Sequence, residues 1–263
     1  PTKTEQSDLQ QALYGRNGES PVAVIAASMP SDCFHYAFEA GRIAMEHMTP
    51  VVLLSDGFIA NGSEPWKIPS MKDYPTINPP IIDKTEDGGP FMPYARNEKL
   101  ARSWAFPGKA GLEHRVGGLE KDKLKGSISI DPQNHQEMTN LRAAKIAKIA
   151  DYIPHQTVYG DPEGDLLVVG WGGTRGHLQN AVDKMRAEAR KFRSATSTTS
   201  TRCRTASPTS SSASRRSWFA SSTKDSSPTT CAANCSNSTT NSTTSARACP
   251  SRLQSFAKNS NPY

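Results

Sequence analysis

At 263 residues the chain has room for one large domain or two ordinary ones, with a real buried core. Its formal charge of +6 invites a nucleic-acid partner, yet residues 193–263 hold nine Lys/Arg against the single acid Asp225, while residues 1–192 hold 22 basic and 24 acidic side chains. The body is therefore near neutral, and no apolar run approaches the ~18 residues of a membrane span. Four of the five cysteines (Cys203, Cys231, Cys235 and Cys249) also lie in the basic tail. Cys33 stands alone in the patterned part, which fits a reducing, cytoplasmic compartment.

Pro1 to Asn17 reads as a loop entering a helix, with Ser7 as its cap before Leu9, Ala12 and Leu13. Pro21 to Ser28 is an apolar run with strand character. Ser31 or Asp32 then caps a helix to about Met48, with Phe34, Phe38, Ile43, Met45 and Met48 along one side. Pro50 stops it, and Val51 to Leu54 reads as a buried parallel strand. Strand, helix, strand within about 35 residues is a βαβ unit. The fold class expected is α/β, two domains with mostly parallel sheets.

Ser55, Asp56, Gly57, Asn61, Gly62 and Pro65 follow the second strand, with Trp66 as an amphipathic anchor. In open α/β sheets ligands sit beyond the strand carboxyl ends, so this loop is a candidate functional edge. Residues 67–135, rich in Pro and Gly, read as an ordered excursion held by Tyr74, Phe91, Tyr94, Trp104 and Phe106. Asn140 to Ile153 reads as a basic amphipathic surface helix. A second unit begins near residue 160: Asp165 to Val169 a strand, GWGGTRG (Gly170 to Gly176) a glycine loop, His177 to about Lys191 a helix. The loop has the setting of a phosphate cradle but not the G-x-G-x-x-G spacing of a dinucleotide site. A packing loop is favoured, with an anion or coenzyme A contact at Gly172, Gly173 and Thr174 as the remaining possibility.

From about Phe192 the chain changes character: residues 193–263 contain 20 Ser, 13 Thr, one Leu and no Val or Ile. Composition alone gives a disordered Ser/Thr/Arg segment. A one-base shift explains it better. Codons ending in TC would display as Ser and those ending in AC as Thr, and back-translation with a shift between Lys191 and Phe192 recovers apolar, strand-like runs. The tail is thus expected to be out of frame and disordered, and its C-x-x-x-C at Cys231 and Cys235 is not a zinc signal.

The remaining chemistry-bearing residues point to structure. Ser55 lacks a G-x-S-x-G elbow. His35 and His47 are twelve apart on one helix, too far for an i, i+4 metal pair. Cys33 reads as a small buried residue, and Glu113-His114 as a structural or interface pair.

The stretches PTKTEQSDL (Pro1 to Leu9), LYGRNGE (Leu13 to Glu19), LLSDGFIANGSEPW (Leu53 to Trp66), GLEH (Gly111 to His114), NHQEMTNLRAAKI (Asn134 to Ile146) and GWGGTRG together resemble the α subunit of 2-oxoglutarate:ferredoxin oxidoreductases. These belong to the thiamine-diphosphate-dependent 2-oxoacid:acceptor oxidoreductases. The resemblance implies that residues 1–66 are the C-terminal part of a pyrimidine-binding domain and 67–160 an excursion with its connecting helix. Residues 161–191 would begin a transketolase-C-terminal-like domain, and 192–263 are the frameshifted tail.

It implies a coenzyme A-acylating oxidative decarboxylation of a 2-oxoacid, with thiamine diphosphate and Mg²⁺ shared with a β subunit that holds an iron–sulfur cluster and passes electrons to ferredoxin. The family's catalytic glutamate would lie upstream of Pro1, so the chain is expected to be a fragment, inactive alone. Thr2, Lys3 and Gln6 would line the substrate pocket, and Ser55, Asp56, Gly57 and Asn61 the cofactor pocket or subunit interface. Neither nucleic acid nor membrane is expected as a partner. The competing expectation is a non-catalytic piece that docks the β subunit.

Overall fold

The computed structural model describes residues 7–85, 88–115, 117–154, 156–160, 164–188, 192–197 and 214–219. Its first layer is α1 (Ser7–Tyr14). Strand β1 (Ala23–Ala26) follows, then α2 (Asp32–His47) and β2 (Val51–Leu54), and β1 and β2 pair in parallel from Ala23↔Val51 to Ala26↔Leu54. This is the βαβ unit that the two apolar runs imply.

All four residues of β1 are buried, and alternation sends them into two cores. Ala23 and Ile25 pack with Ile43, Ile146, Ile149 and Ile153, whereas Val24 packs with Leu9 and Ala12, and Trp171 lies against that second core. A strand covered on both faces favours continuous apolar sequence, which is why VAVIAA carries no polar alternation.

Two expectations in this unit are corrected. β2 is half-buried, not buried, and Leu53 is 36% exposed. Among the described residues its only strand partner is β1, so one edge gets no cover from them. The core stripe of α2 is Tyr36, Ala40, Ile43 and His47, at helical spacing. Of the five residues expected there, only Ile43 is buried. Phe34 and Phe38 instead meet Trp66 and Tyr74, with ring centroids 5.4 Å apart for Phe34–Trp66 and 4.6 Å for Phe38–Tyr74.

The described residues of the excursion contain the short parallel pair β3 (Ile81–Ile82) and β4 (Trp104–Ala105). The excursion is fastened to α2 through Glu46, whose carboxylate accepts from Lys99 Nζ at 2.8 Å, from the Asn78 N–H at 3.2 Å and from Arg42 at 3.5 Å. The helix that follows, α4 (Pro132–Lys148), starts eight residues earlier than its apolar periodicity suggests. Asp131 accepts from the Gln133 and Asn134 N–H groups and Pro132 occupies the first turn, so the start is written in cap chemistry and not in hydrophobicity.

In the second unit β5 (Val158–Gly160) and β6 (Gly164–Trp171) precede α5 (Arg175–Ala187), close to the strand, glycine loop and helix read from sequence. Two segments of the Ser/Thr-rich tail are strands, contrary to the expected disorder: β7 (Phe192–Ser197) and β8 (Ser214–Phe219). Both pair in parallel with β6, and β5 closes the sheet antiparallel to β7, giving the order β5-β7-β6-β8. Strand pairing is made by backbone N–H and C=O groups, which every residue but Pro supplies, so an open β6 can recruit segments whose composition gives no strand signal. The remaining tail residues lie outside the described ones. The chain is thus mixed α/β with parallel sheets.

Candidate functional site at the carboxyl edge of the first sheet

Strands β1 and β2 end at Ala26 and Leu54, and the segments that leave them meet the second unit. Asp56 follows β2 by two residues. Its Oδ1 accepts from the Ile59 N–H at 2.8 Å, capping the short helix α3 (Gly57–Asn61), and Asn61 Nδ2 donates back to the Gly57 carbonyl at 2.8 Å. The other carboxylate oxygen, Oδ2, accepts from the Gly173 N–H at 3.1 Å, 117 residues away in sequence. Ser55 and Asn61 are exposed.

The glycine loop is shaped for this approach. Gly172 has φ +61°, in the left-handed region. A Cβ on Gly173 would lie 2.6 Å from Asp56 Oδ2, so a side chain there must push that carboxylate off the Gly173 amide. Thr174 does not face the junction; its Oγ1 donates to the Trp171 carbonyl at 2.7 Å within the same turn.

A second clasp lies beside the first. Asp32 Oδ2 accepts from the N–H groups of Ser28 and Met29, both at 3.1 Å, and from Ser28 Oγ at 2.6 Å. Asp32 therefore ties down the loop leaving β1, while Ser31, the N-cap residue of α2, makes no side-chain cap hydrogen bond. Arg175, at the start of α5, donates to Ser28 Oγ at 3.2 Å and stands 3.9 Å from Asp32. Sequence reasoning missed Ser28 and Arg175 because nothing local links residues 147 apart.

Of the residues singled out from sequence, the structure brings Asp56, Gly172 and Gly173 together. Thr2, Lys3 and Gln6 lie outside the described residues. His47 is fully buried beside Tyr152, with ring centroids 5.3 Å apart, and His35 shares a short hydrogen bond with Tyr74. Cys33 is a half-buried free thiol. Glu113 accepts from the Gly111 N–H at 2.8 Å and His114 Nδ1 lies 2.9 Å from the Leu112 carbonyl, so the GLEH side chains brace their own loop.

Two donors at this edge are engaged within the chain. Asp56 holds the Gly173 amide, and Ser28 and Asp32 hold the Arg175 guanidinium. Among the described residues no group of three or more His, Cys, Asp or Glu could hold a metal ion, and no helix is long and apolar enough to cross a membrane. What the arrangement does is join two α/β units across the strand carboxyl ends, where such folds place ligands.

That architecture has relatives. Residues 1–129 match the family described as pyruvate flavodoxin/ferredoxin oxidoreductase, thiamine diphosphate-binding. The chain is 54% identical over 194 residues to the 2-oxoglutarate oxidoreductase subunit KorA of Mycobacterium tuberculosis, covering 73% of this chain and 29% of that protein. It is 30% identical over 190 residues to the α subunit of 2-oxoacid:ferredoxin oxidoreductase 1 of Aeropyrum pernix, covering 71% of this chain and 29% of the relative.

Among solved structures it resembles a 2-oxoglutarate:ferredoxin oxidoreductase from Magnetococcus marinus, whose structure holds 2-oxoglutarate, coenzyme A and succinyl-CoA. The TM-score is 0.72 at 26% identity, with 83% of this chain and 38% of that one covered. The chain thus spans under a third of the two curated relatives it matches here.

Proposed function

We propose that the chain is part of the α subunit of a 2-oxoacid:ferredoxin oxidoreductase, with 2-oxoglutarate as the substrate. The observation that carries this is the 54% identity across 194 residues to a 2-oxoglutarate oxidoreductase subunit. The reaction is the coenzyme A-acylating oxidative decarboxylation of the 2-oxoacid. Thiamine diphosphate supplies the carbanion chemistry when bound, and the protein supplies position and electrostatics. By the same resemblance the diphosphate and Mg²⁺ are assigned to the β subunit, together with the iron–sulfur cluster that delivers electrons to ferredoxin.

In this reading residues 1–66 are the end of the pyrimidine-binding domain, 67–160 the excursion with its connecting helix, and 161–191 the start of a transketolase-C-terminal-like domain. Thr2, Lys3 and Gln6 line the substrate pocket. The loop of Ser55, Asp56, Gly57 and Asn61 shapes the cofactor pocket from outside, through the clasp to Gly173. Coenzyme A at Gly172 to Thr174 requires Asp56 to leave the Gly173 amide.

The segment after Lys191 is assigned to a shifted reading frame. The share of the chain left unmatched by the M. tuberculosis relative, 27%, is the size of that segment. Resequencing the DNA across the codons for Arg190 to Ser194 tests this, and confirmation of the displayed frame overturns it.

For the function, the chain is combined with purified β subunit and assayed for methyl viologen reduction with 2-oxoglutarate, pyruvate and coenzyme A. Reduction that needs both polypeptides and prefers 2-oxoglutarate supports the reading. Turnover by this polypeptide alone would refute the shared site. Tight complex formation without turnover would favour the docking piece, a role that the engaged donors at the carboxyl edge also fit.

A further inference from the structure

Contacts from the two loops that leave the first sheet converge on one turn of the second unit, Trp171 to Arg175. From the β2 side, Asp56 Oδ2 accepts from the Gly173 N–H at 3.1 Å. From the β1 side, Ser28 Oγ accepts from the Arg175 guanidinium at 3.2 Å and itself donates to Asp32 Oδ2 at 2.6 Å. Trp171 adds an apolar contact, packed with Val52 and Leu54 against the core of Leu9, Ala12 and Val24.

The turn is closed by bonds of its own. Thr174 Oγ1 donates to the Trp171 carbonyl at 2.7 Å, and the Arg175 N–H donates to the Gly172 carbonyl. Gly172 and Thr174 are buried. A Cβ on Gly172 would stand 3.8 Å from Asp56 Oδ2 and 3.9 Å from the Ala27 carbonyl, so the turn sits between the two loops. A change at one outer contact of such a turn is passed through its internal bonds to the other.

The two clasps are built differently. The Asp56 clasp rests on a single backbone amide. The other is a relay, in which the guanidinium donates to a hydroxyl and the hydroxyl donates to a carboxylate. That carboxylate also takes the Ser28 and Met29 N–H groups, both at 3.1 Å. One side chain thereby reaches the whole loop from Ser28 to Asp32. Ser28 is 6% exposed and the Asp32 side chain 15%, so the relay is shielded from water, where charge-assisted hydrogen bonds are strong.

We propose that Trp171 to Arg175 is the hinge between the two units and that Arg175 is its lock. Arg175 is thus a positioning residue: through Ser28 and Asp32 it holds the loop after β1 in register with the Asp56 loop, at the edge where such folds place ligands. When the lock is broken, the second unit turns about Trp171 and the Gly173 amide leaves Asp56. The lock rests on the geometry; its effect on turnover rests on the function proposed above.

The test reads hydrogen exchange in the full chain at pH 7. Arg175→Met is expected to speed exchange of the Gly173 amide about tenfold, although that amide bonds to Asp56, while the α2 amides keep their protection. Arg175→Lys, which keeps the charge but not the planar fork, falls between. Ser28→Ala removes only the relaying hydroxyl and is expected to speed the same amide by a smaller factor. Unchanged Gly173 exchange in Arg175→Met overturns the proposal; if that variant costs α2 its protection, unchanged exchange in Ser28→Ala overturns it instead.

In complex with purified β subunit, Arg175→Met is expected to lower kcat about tenfold and to leave KM for 2-oxoglutarate within about twofold, with Arg175→Lys recovering part of the loss. Unchanged kcat, or a raised KM that makes Arg175 a substrate contact, overturns the positioning role. A wild-type complex without turnover would count against the proposed function, and exchange at Gly173 would still decide the lock.

Discussion

The two ends of β2 handle charge in opposite ways. At the carboxyl end each charged group has its partner within the chain: Asp56 with two N–H groups, Asp32 with Ser28, Met29 and Arg175. At the amino end Lys99 leans on Glu46, which Arg42 also reaches at 3.5 Å while pairing more closely with Glu39; Arg96, Arg102 and Lys145 have no carboxylate partner among the described residues. There too the buried His47 has no hydrogen-bond partner for either ring nitrogen among the described residues. Proximity to a strand end does not decide which end is finished; the count of donors against acceptors does.

The largest effect should come from removing Glu46, the acid that fastens the excursion to α2. Glu46→Ala leaves Lys99 and the Asn78 N–H without their acceptor in a site where the carboxylate side chain is only 6% exposed. A loss of about 3–5 kcal/mol is expected in chemical denaturation, with Glu46→Gln intermediate.

His47 comes next. Burial, above all, depresses its pKa from 6.5 to about 4, with Lys99 adding to the shift and Glu46 opposing it. The unfolded chain therefore binds the proton first. Stability attributable to this residue is intact above pH 6.5 and is lost as pH falls toward 4, by about 3 kcal/mol at most. A His47→Leu variant should flatten the denaturation midpoint over that window, and an unchanged slope would remove His47 from the account.

The finished end breaks more gently. Gly173→Ala places a methyl against Asp56 and should cost about 1–3 kcal/mol. Gly176→Ala, where a Cβ meets nothing within 4 Å inside α5, should stabilise by up to ~1 kcal/mol. Equal effects from the two would mean that the Asp56 clasp is not made.

A gain of similar size is expected at Lys145. With its pKa lowered to about 8 from 10.5, Lys145 carries an unfavourable charge in the folded state below pH 8, and that cost is relieved as pH rises from 8 toward 10.5. Lys145→Met should raise stability by about 1 kcal/mol at pH 7, net of the lost bond to Met48, and abolish the alkaline rise.

How much of this was legible depended on the range over which each signal acts. Apolar runs gave β1 and β2, and the punctuation of Pro50 and the glycine loop gave the boundaries of α2 and α5, because those signals are local. α4 hid its first two turns because Pro132 to Thr139 is mostly polar and announces itself only through the Asp131 cap. The burial of α2 was misread because Phe34 and Phe38 are as apolar as a core residue while serving an aromatic cluster with Trp66 and Tyr74. The glycine loop was the instructive case. Its sequence favoured a packing loop, but could not say that the loop receives Asp56, from the other unit of the same chain. Long-range pairing by one carboxylate leaves no periodicity to find.

The double burial of β1 has a mechanical consequence. Ala23 and Ile25 belong to the layer of α2 and α4, and Val24 to the layer of α1 and Trp171. Interiors packed to crystal-like density transmit displacement and do not absorb it. A displacement at Ile146 is therefore expected to reach Trp171 through four residues of backbone, which makes β1 the coupling element between the two packed faces of the sheet.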